Sequence, residues 1–379
     1  MALIKTLSGQ FAKIKVIGIG GGGGNAINSM IEEGKIKGVD FVSINTDSQA
    51  LLNSQSTIKI QIGEKLTKGL GAGGNPQTGR LAAEESQDRI REVLQDTDMI
   101  FLTGGMGGGT CTGAAPIIAK IAKKEFGILT IAAVTKPFTF EGTRRMSNAL
   151  EGISQLKDFV DTLVVIPNQK IMDVVNSKAT LVEAFRIADS VLSQGTRAIA
   201  DLITKPGLIN LDFADIKSIM SNAGSALMGV GEAKGEDRAK KAVEKAIYSP
   251  LIEVDINGAR GVLLNITGGN DLTMAEIEES AQTITKYTAP DANIIFGTNI
   301  DPSMEGSIKI ILIATGFDPN QKPAPKIDFD QKVNSISGLL KPIRPFKSKR
   351  LKKLLNNQPL PEGIDIVDEL DIPTFLRKK

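Results

Sequence analysis

The residue pattern predicts an α/β protein in which two sheet-bearing halves flank one long helix and a proline-rich tail follows. Three observations predict it. Short apolar runs alternate with helical patterns from residue 13 to about residue 317, as strands joined by crossover helices do. Leu181, Ala184, Phe185, Ala188, Val191, Leu192 and Ile199 recur at helical spacing between the two alternating halves. Beyond Phe317 the last 62 residues hold 8 of the 16 prolines, a composition that favours a linker over a packed core.

Lys13 to Ile19 reads as the first strand, followed by a glycine turn from Gly20 to Gly24 and a helical pattern over Asn25 to Met30. Gly18, Gly20 and Gly23 satisfy G-x-G-x-x-G, a signal that is weak alone. A second strand, Val39 to Asn45, ends in Asn45-Thr46-Asp47, where a Rossmann protein carries its ribose-binding acid. Lys59 to Ile62 is a short strand, and Gly69 to Pro76 is another glycine-rich loop before a helix expected over Thr78 to Leu94.

The densest glycine run follows the apolar strand Met99 to Leu102. Gly104 to Gly113 reads Gly-Gly-Met-Gly-Gly-Gly-Thr-Cys-Thr-Gly and enters a helix over Ala114 to Ile121. Bare backbone at such a turn lets several N–H groups converge on one anion, phosphate being the natural ligand. No Gly-Lys-Ser/Thr sequence occurs, so the loop is not a Walker P-loop and its ligand is held mainly by backbone amides and hydroxyls. Three glycine loops on the carboxyl edge of one Rossmann-like sheet suit a polyphosphate better than a single pyrophosphate.

A strand over Ile128 to Val134, a helix ending near Asp158 and a strand over Leu163 to Ile166 complete the first half. The long helix spans Thr180 to Thr204 and is stopped by Lys205-Pro206-Gly207. Asp212 then has the form of an N-cap acid opening a further helix. Strands at 225–230, 261–266, Asn293 to Phe296 and Ile308 to Thr315, with helices over Glu236 to Tyr248 and Leu272 to Tyr287, make the smaller second half.

Composition bounds the chemistry. A chain of 379 residues suits two domains plus extensions, and 41% hydrophobic with 23% charged residues is a soluble globular balance. There is no apolar run of membrane-spanning length and no signal pattern near Met1, and the one cysteine, Cys111, fits a reducing compartment; a cytoplasmic protein without direct membrane insertion is expected. Histidine is absent, which excludes imidazole bases, His metal sites and Ser-His-Asp catalysis together. With 4% aromatics and no Trp, a nucleic-acid stacking platform is not expected. The net charge of +2 hides a basic tail: Lys341 to Lys353 carries seven basic residues and no acid, as a contact for acidic surfaces or as a solvated spacer. Apolar residues return in Ile364 to Arg377, as in a short motif that docks into a partner's groove.

On these residues the chain resembles the FtsZ family, the bacterial tubulin-like GTPases of cell division. Gly104 to Gly113 resembles the family's signature loop, Asn210 to Asp215 its synergy loop, and Asp371 to Arg377 its conserved tail peptide. The resemblance covers residues 14 to about 317 and resumes at the tail. It implies a tubulin/FtsZ-type fold: a Rossmann-like GTP-binding domain over 1–179, a central helix over 180–205, a second α/β domain over 206–317, a disordered linker over 318–363 and a partner-binding peptide over 364–379.

By position, the resemblance implies that Gly21, Gly22, Gly23, Gly24 and Asn25, with Gly107, Gly108, Gly109, Thr110 and Cys111, hold the phosphates of GTP or GDP. Glu141, Arg145 and Asn168 would contact ribose and nearby phosphate, Phe185 would stack on guanine, and Asp189 would accept from its N1–H and exocyclic amine. Mg²⁺ would neutralise the phosphates, with no dedicated protein metal site. Asn210, Asp212 and Asp215 would complete catalysis for the next subunit of a head-to-tail homopolymer, because a helix of about 25 residues separates them by some ~35 Å from their own nucleotide. The family's filaments form the Z ring at the division septum, and its tail peptide recruits membrane adaptors and division regulators. One residue departs from the pattern: the family normally has glycine where Cys111 stands, so its Cβ is either benign, a brake on turnover or an oxidation-sensitive point. Two rival readings are a nicotinamide oxidoreductase, resting on Gly18 to Gly23 and Asp47, and a nucleotide-gated scaffold disabled by Cys111.

Overall fold

The computed structural model describes residues 12–34, 36, 38–172, 180–204, 212–249, 256 and 258–317. Asn210, the Lys205-Pro206-Gly207 stop, and the whole of 318–379, with Lys341 to Lys353 and Asp371 to Arg377, lie outside these residues.

The first half runs β1 (Ile14–Ile19), α1 (Gly20–Glu32), β2 (Val39–Asn45), α2 (Ser48–Leu52), β3 (Ile58–Gln61), α3 (Glu64–Thr67), α4 (Pro76–Glu85), α5 (Gln87–Leu94), β4 (Met99–Gly105), α6 (Thr110–Lys120), β5 (Leu129–Lys136), α7 (Thr143–Lys157), β6 (Thr162–Pro167) and α8 (Asn168–Met172). Then come α9 (Leu181–Thr204) and α10 (Phe213–Met220). The second half is β7 (Gly224–Lys234), α11 (Arg238–Ile247), β8 (Ala259–Gly268), α12 (Met274–Thr285), β9 (Thr288–Ile300) and β10 (Ser307–Thr315).

All ten strands form one sheet in the order β3-β2-β1-β4-β5-β6-β7-β10-β8-β9. The strands from β3 to β7 are parallel, while β10 runs antiparallel to both β7 and β8. Alternation along β1 explains the layering: Val16 packs with α1 and α9 on one face, and Ile17 packs with α4, α5 and α6 on the other. A parallel sheet covered on both faces needs near-continuous apolar strands, which is why β4 reads Met-Ile-Phe-Leu. A third cluster sits between β7, β8 and β10 and the helices α11 and α12.

Several element ends follow local chemistry that differs from the sequence expectation. The expected single helix over Thr78 to Leu94 is two helices that meet at Ser86, whose φ of −108° leaves the helical region and whose hydroxyl accepts the Gly63 N–H at 3.0 Å. Helix α4 starts earlier than expected because Asn75 caps it by accepting the Gln77 N–H and Pro76 follows at the first helical position. Gly20 to Gly24, read as a turn, form the first turns of α1, whereas Gly104 and Gly105 end β4 and α6 begins only at Thr110. Thr180 and Glu183 form a reciprocal cap at the start of α9, and the helix buries Ala184, Ala188, Leu192 and Ile199 against the sheet.

Candidate functional site

Strands β1 and β4 are neighbours whose following helices, α1 and α6, cover opposite faces of the sheet. At such a switch point the carboxyl ends diverge and leave a crevice. The crevice here is a cleft of about 370 Å³. Gly20, Gly21, Gly22 and Asn25 of α1 form one wall, and Gly105, Met106 and Gly108 to Cys111 form another. Glu141 and Arg145 come from the β5–α7 connection, Asn168 from the end of β6, and Phe185, Ala188, Asp189 and Leu192 from one face of α9.

Neither α1 nor α6 has a side-chain cap, so the N–H groups of both first turns are left for a ligand. Two helix N-termini aimed into one cleft favour a polyanion, since each adds its dipole to its free amides. Gly20 needs its lack of Cβ, because its φ is +72° beside Thr110 and Cys111. Arg145 is the cation that lines the cleft among the described residues, and its Nη1 lies 2.7 Å from Glu141 Oε2. Glu141 also accepts the Phe138 N–H at 2.8 Å, which holds the pair in place.

The other end of the cleft is built for a planar group with donors. Phe185 is 39% exposed and meets Phe138 at 5.3 Å and Phe140 at 6.4 Å, both edge-on, so its ring is anchored while part of it lines the cleft. Four residues along the helix from Phe185, burial without a partner pushes the Asp189 carboxyl up to about 7. Asn168 is buried and its Oδ1 has no hydrogen-bond partner. Acceptors without a partner at a cleft can take hydrogen bonds from a donor group bound there.

Twelve of the expected binding residues therefore meet in one place: Gly21, Gly22, Asn25, Gly108, Gly109, Thr110, Cys111, Glu141, Arg145, Asn168, Phe185 and Asp189. Gly23, Gly24 and Gly107 are not on its lining. Gly23 is buried where a Cβ would lie 2.5 Å from the Thr103 carbonyl, which makes it a helix-to-strand packing glycine. The Gly107 N–H is donated to Thr112 Oγ1 at 2.9 Å.

The loop from Gly69 to Asn75 does not line the cleft either, contrary to the expectation of three phosphate loops. It braces the signature loop from behind, since a Cβ on Gly109 would lie 2.6 Å from Ala72 Cβ. Asp47 is not a ribose acid: it caps α2 by accepting the Gln49 and Ala50 N–H groups. Ala188 and Leu192, read from the sequence only as part of the long helix's apolar face, also line the cleft, as their helical spacing to Phe185 allows.

Cys111 occupies the second position of α6 with ordinary helical backbone, so its Cβ causes no strain. Its side chain turns into the core beside Gly104, and burial pushes the thiol up to about 12. The thiol is neutral and shielded. Such a group has little of the thiolate character that oxidation needs.

Asp212 and Asp215 are exposed and stand outside the cleft. Asp212 Oδ1 accepts the Asp215 N–H at 2.8 Å, and Asp215 Oδ2 accepts the Asp212 N–H at 3.3 Å, a capping box that opens α10. The far end of α10, Met220, accepts from Thr162 Oγ1 at the amino edge of β6, opposite the cleft.

A doubly covered parallel sheet with two uncapped helix N-termini over one cleft defines a nucleoside-phosphate-binding α/β protein. Residues 13–176 match the Tubulin/FtsZ family GTPase domain, and residues 224–318 match the FtsZ family C-terminal domain. An empty FtsZ dimer from M. jannaschii is 49% identical over 80% of this chain and 88% of its own, with a TM-score of 0.77. A tryptophan-to-tyrosine mutant of M. jannaschii FtsZ is also 49% identical, over 81% of this chain and 91% of its own, with a TM-score of 0.78. A GTPγS-bound CetZ2 protofilament from Haloferax volcanii shares the fold at 18% identity, over 81% of this chain and 94% of its own, with a TM-score of 0.68. The chain belongs to the FtsZ family of tubulin-type GTPases.

Proposed function

We propose that this GTPase assembles head to tail into filaments and hydrolyses GTP at the interface between successive subunits, as part of a Z ring at the division septum. The observation that carries the reading is the separation of the two halves of the active site. The cleft lies at the carboxyl edge of the sheet, and Asp212 and Asp215 open a helix that ends at the amino edge. Helix α9 runs Leu181–Thr204 and carries Asp189 in its first half, so ~22 Å of helix lies between Asp189 and the end that leads to Asp212. A carboxylate pair so placed serves a neighbour's cleft when subunits stack in one polarity, a heterologous contact that grows filaments. The dimer and protofilament forms of the relatives support stacking of this kind.

In this reading the amides of Gly21, Gly22, Gly108 and Gly109 and the hydroxyl of Thr110 hold the phosphates. Arg145 balances their charge, Phe185 covers one face of guanine, and Asp189 accepts from its N1–H and amine. Asn168 Oδ1 accepts from a ribose hydroxyl. Mg²⁺ would be held mainly by phosphate oxygens and water. That ion supplies charge neutralisation on the phosphates when bound. The capping box leaves Asp212 Oδ2 and Asp215 Oδ1 free and rigidly aimed, so the pair orients an attacking water for the subunit below and accepts its proton. Asn210 would add a hydrogen bond to the same water.

Turnover per subunit measured against protein concentration, with light scattering alongside, tests the scheme. The rate should rise from near background as filaments appear; a rate flat from dilute to concentrated protein would overturn catalysis in trans. A second part of the proposal concerns the tail, where Asp371 to Arg377 docks into a membrane adaptor and Lys341 to Lys353 touches acidic surfaces. Truncation after Gly363 should keep GTPase activity and lose adaptor recruitment to vesicles; unchanged recruitment refutes it.

A further inference from the structure

One buried hydroxyl stands directly behind the phosphate cradle. Thr46, just past the end of β2, is fully buried and lies outside the lining of the cleft. Its Oγ1 is 2.7 Å from the Oγ1 of Thr110, the first residue of α6. Its carbonyl accepts from the Gly71 N–H at 3.1 Å and from Thr67 Oγ1 at 3.2 Å. Through one residue, the hydroxyl at the mouth of α6 is thus tied to the loop that braces Gly109 from behind.

We propose that Thr46 is a positioning residue for the bound nucleotide phosphate. Its hydroxyl aims the Thr110 hydroxyl at the bound phosphate, and its carbonyl keeps the Gly69 to Asn75 loop in register with that hydroxyl. The inference rests on the reading that Thr110 holds phosphate. Proton bookkeeping supplies the direction. A phosphate oxygen only accepts, so Thr110 must donate to it, and the 2.7 Å contact is then satisfied only if Thr46 is the donor. The chain Thr46 O–H to Thr110 O–H to phosphate polarises each link and leaves Thr110 a single useful orientation. Without Thr46 the Thr110 hydroxyl is free to rotate away, and its oxygen loses a buried donor.

The test is GDP titration calorimetry on the full chain with Thr46→Val, Thr46→Ser, Thr110→Val and the Thr46→Val/Thr110→Val pair. Thr110→Val and Thr46→Val should each weaken GDP about tenfold, and Thr46→Ser should stay within about twofold. The double variant should bind no more weakly than Thr110→Val alone, because a residue acting through Thr110 has nothing left to act on. Multiplying effects in the double variant, or wild-type affinity in Thr46→Val alongside weakened Thr110→Val, overturns the inference. If Thr110→Val binds GDP as the wild type does, the cradle reading falls and the inference with it. Should Thr46→Val not fold, the same cycle is run with Thr46→Ala, which adds no volume to the site.

Discussion

Asp189 carries the sharpest chemistry of any single residue. Its carboxyl has no hydrogen-bond or ion-pair partner among the described residues, and burial raises it to about 7 from an ordinary 3.8. An acid with a raised folded value favours the folded state at low pH and loses that contribution as pH rises toward 7. Asp189→Asn should therefore raise the melting temperature of nucleotide-free protein more at pH 8 than at pH 5. Guanine donors need the ionised carboxylate, so GDP affinity of the wild type should increase from pH 6 to pH 8, with proton release on binding near pH 6.5. Calorimetry in two buffers of different ionisation enthalpy measures that release, and Asp189→Asn should abolish it. Cys111 makes the opposite kind of statement. With its thiol buried and pushed up to about 12, it should resist alkylation by iodoacetamide at pH 8 unless the protein is denatured. Cys111→Ala should keep turnover within about twofold, since the thiol faces the core and not the phosphates.

At the level of elements, short polar contacts decide where helices begin and what they can do. Helices α1 and α6 are left uncapped at the cleft where the proposal places phosphate, whereas α10 caps itself with the two carboxylates proposed to act in catalysis. That double duty allows a clean separation. Asn is as good an N-cap as Asp, so Asp212→Asn should change stability by less than about 0.5 kcal/mol, while Asp212→Ala should cost about 1 kcal/mol. Both should lose most turnover while binding nucleotide normally. Retained turnover in Asp212→Asn would make the residue a cap and nothing more. Gly109→Ala is a test of the brace, because its Cβ would meet Ala72 Cβ at 2.6 Å and the Asn75 carbonyl at 2.9 Å. It should destabilise the protein by roughly 1–3 kcal/mol by overpacking, read as a lowered urea midpoint. The helix over Thr78 to Leu94 shows why such detail escapes periodicity: the apolar spacing continues across Ser86, and the break depends on Gly63, more than twenty residues away.

On the scale of the whole molecule, the ten-stranded sheet and α9 set the distance between the cleft and the acid pair. Mixing Asp212→Ala, whose cleft is intact, with Asp189→Ala, whose cleft loses its guanine acceptor but whose acids are intact, should give more turnover than either variant alone, because in the proposed stack the acids of one serve the cleft of the other. A mixture no more active than the two variants measured separately would count against catalysis in trans. The sequence by itself determined the α/β class, nearly every strand, the long helix and the phosphate loops, because these depend on local spacing of apolar residues and glycine. It also supplied Glu141, Arg145, Asn168, Phe185 and Asp189 through family resemblance. Only the tertiary structure decided that Gly69 to Asn75 braces the cradle instead of lining it, that the Gly107 amide is already engaged, and that Thr46 stands behind Thr110. It alone turned Cys111 toward the core. Each of those outcomes is a contact between segments far apart along the chain, set by how strands align side by side, and no local pattern of residues encodes such an alignment.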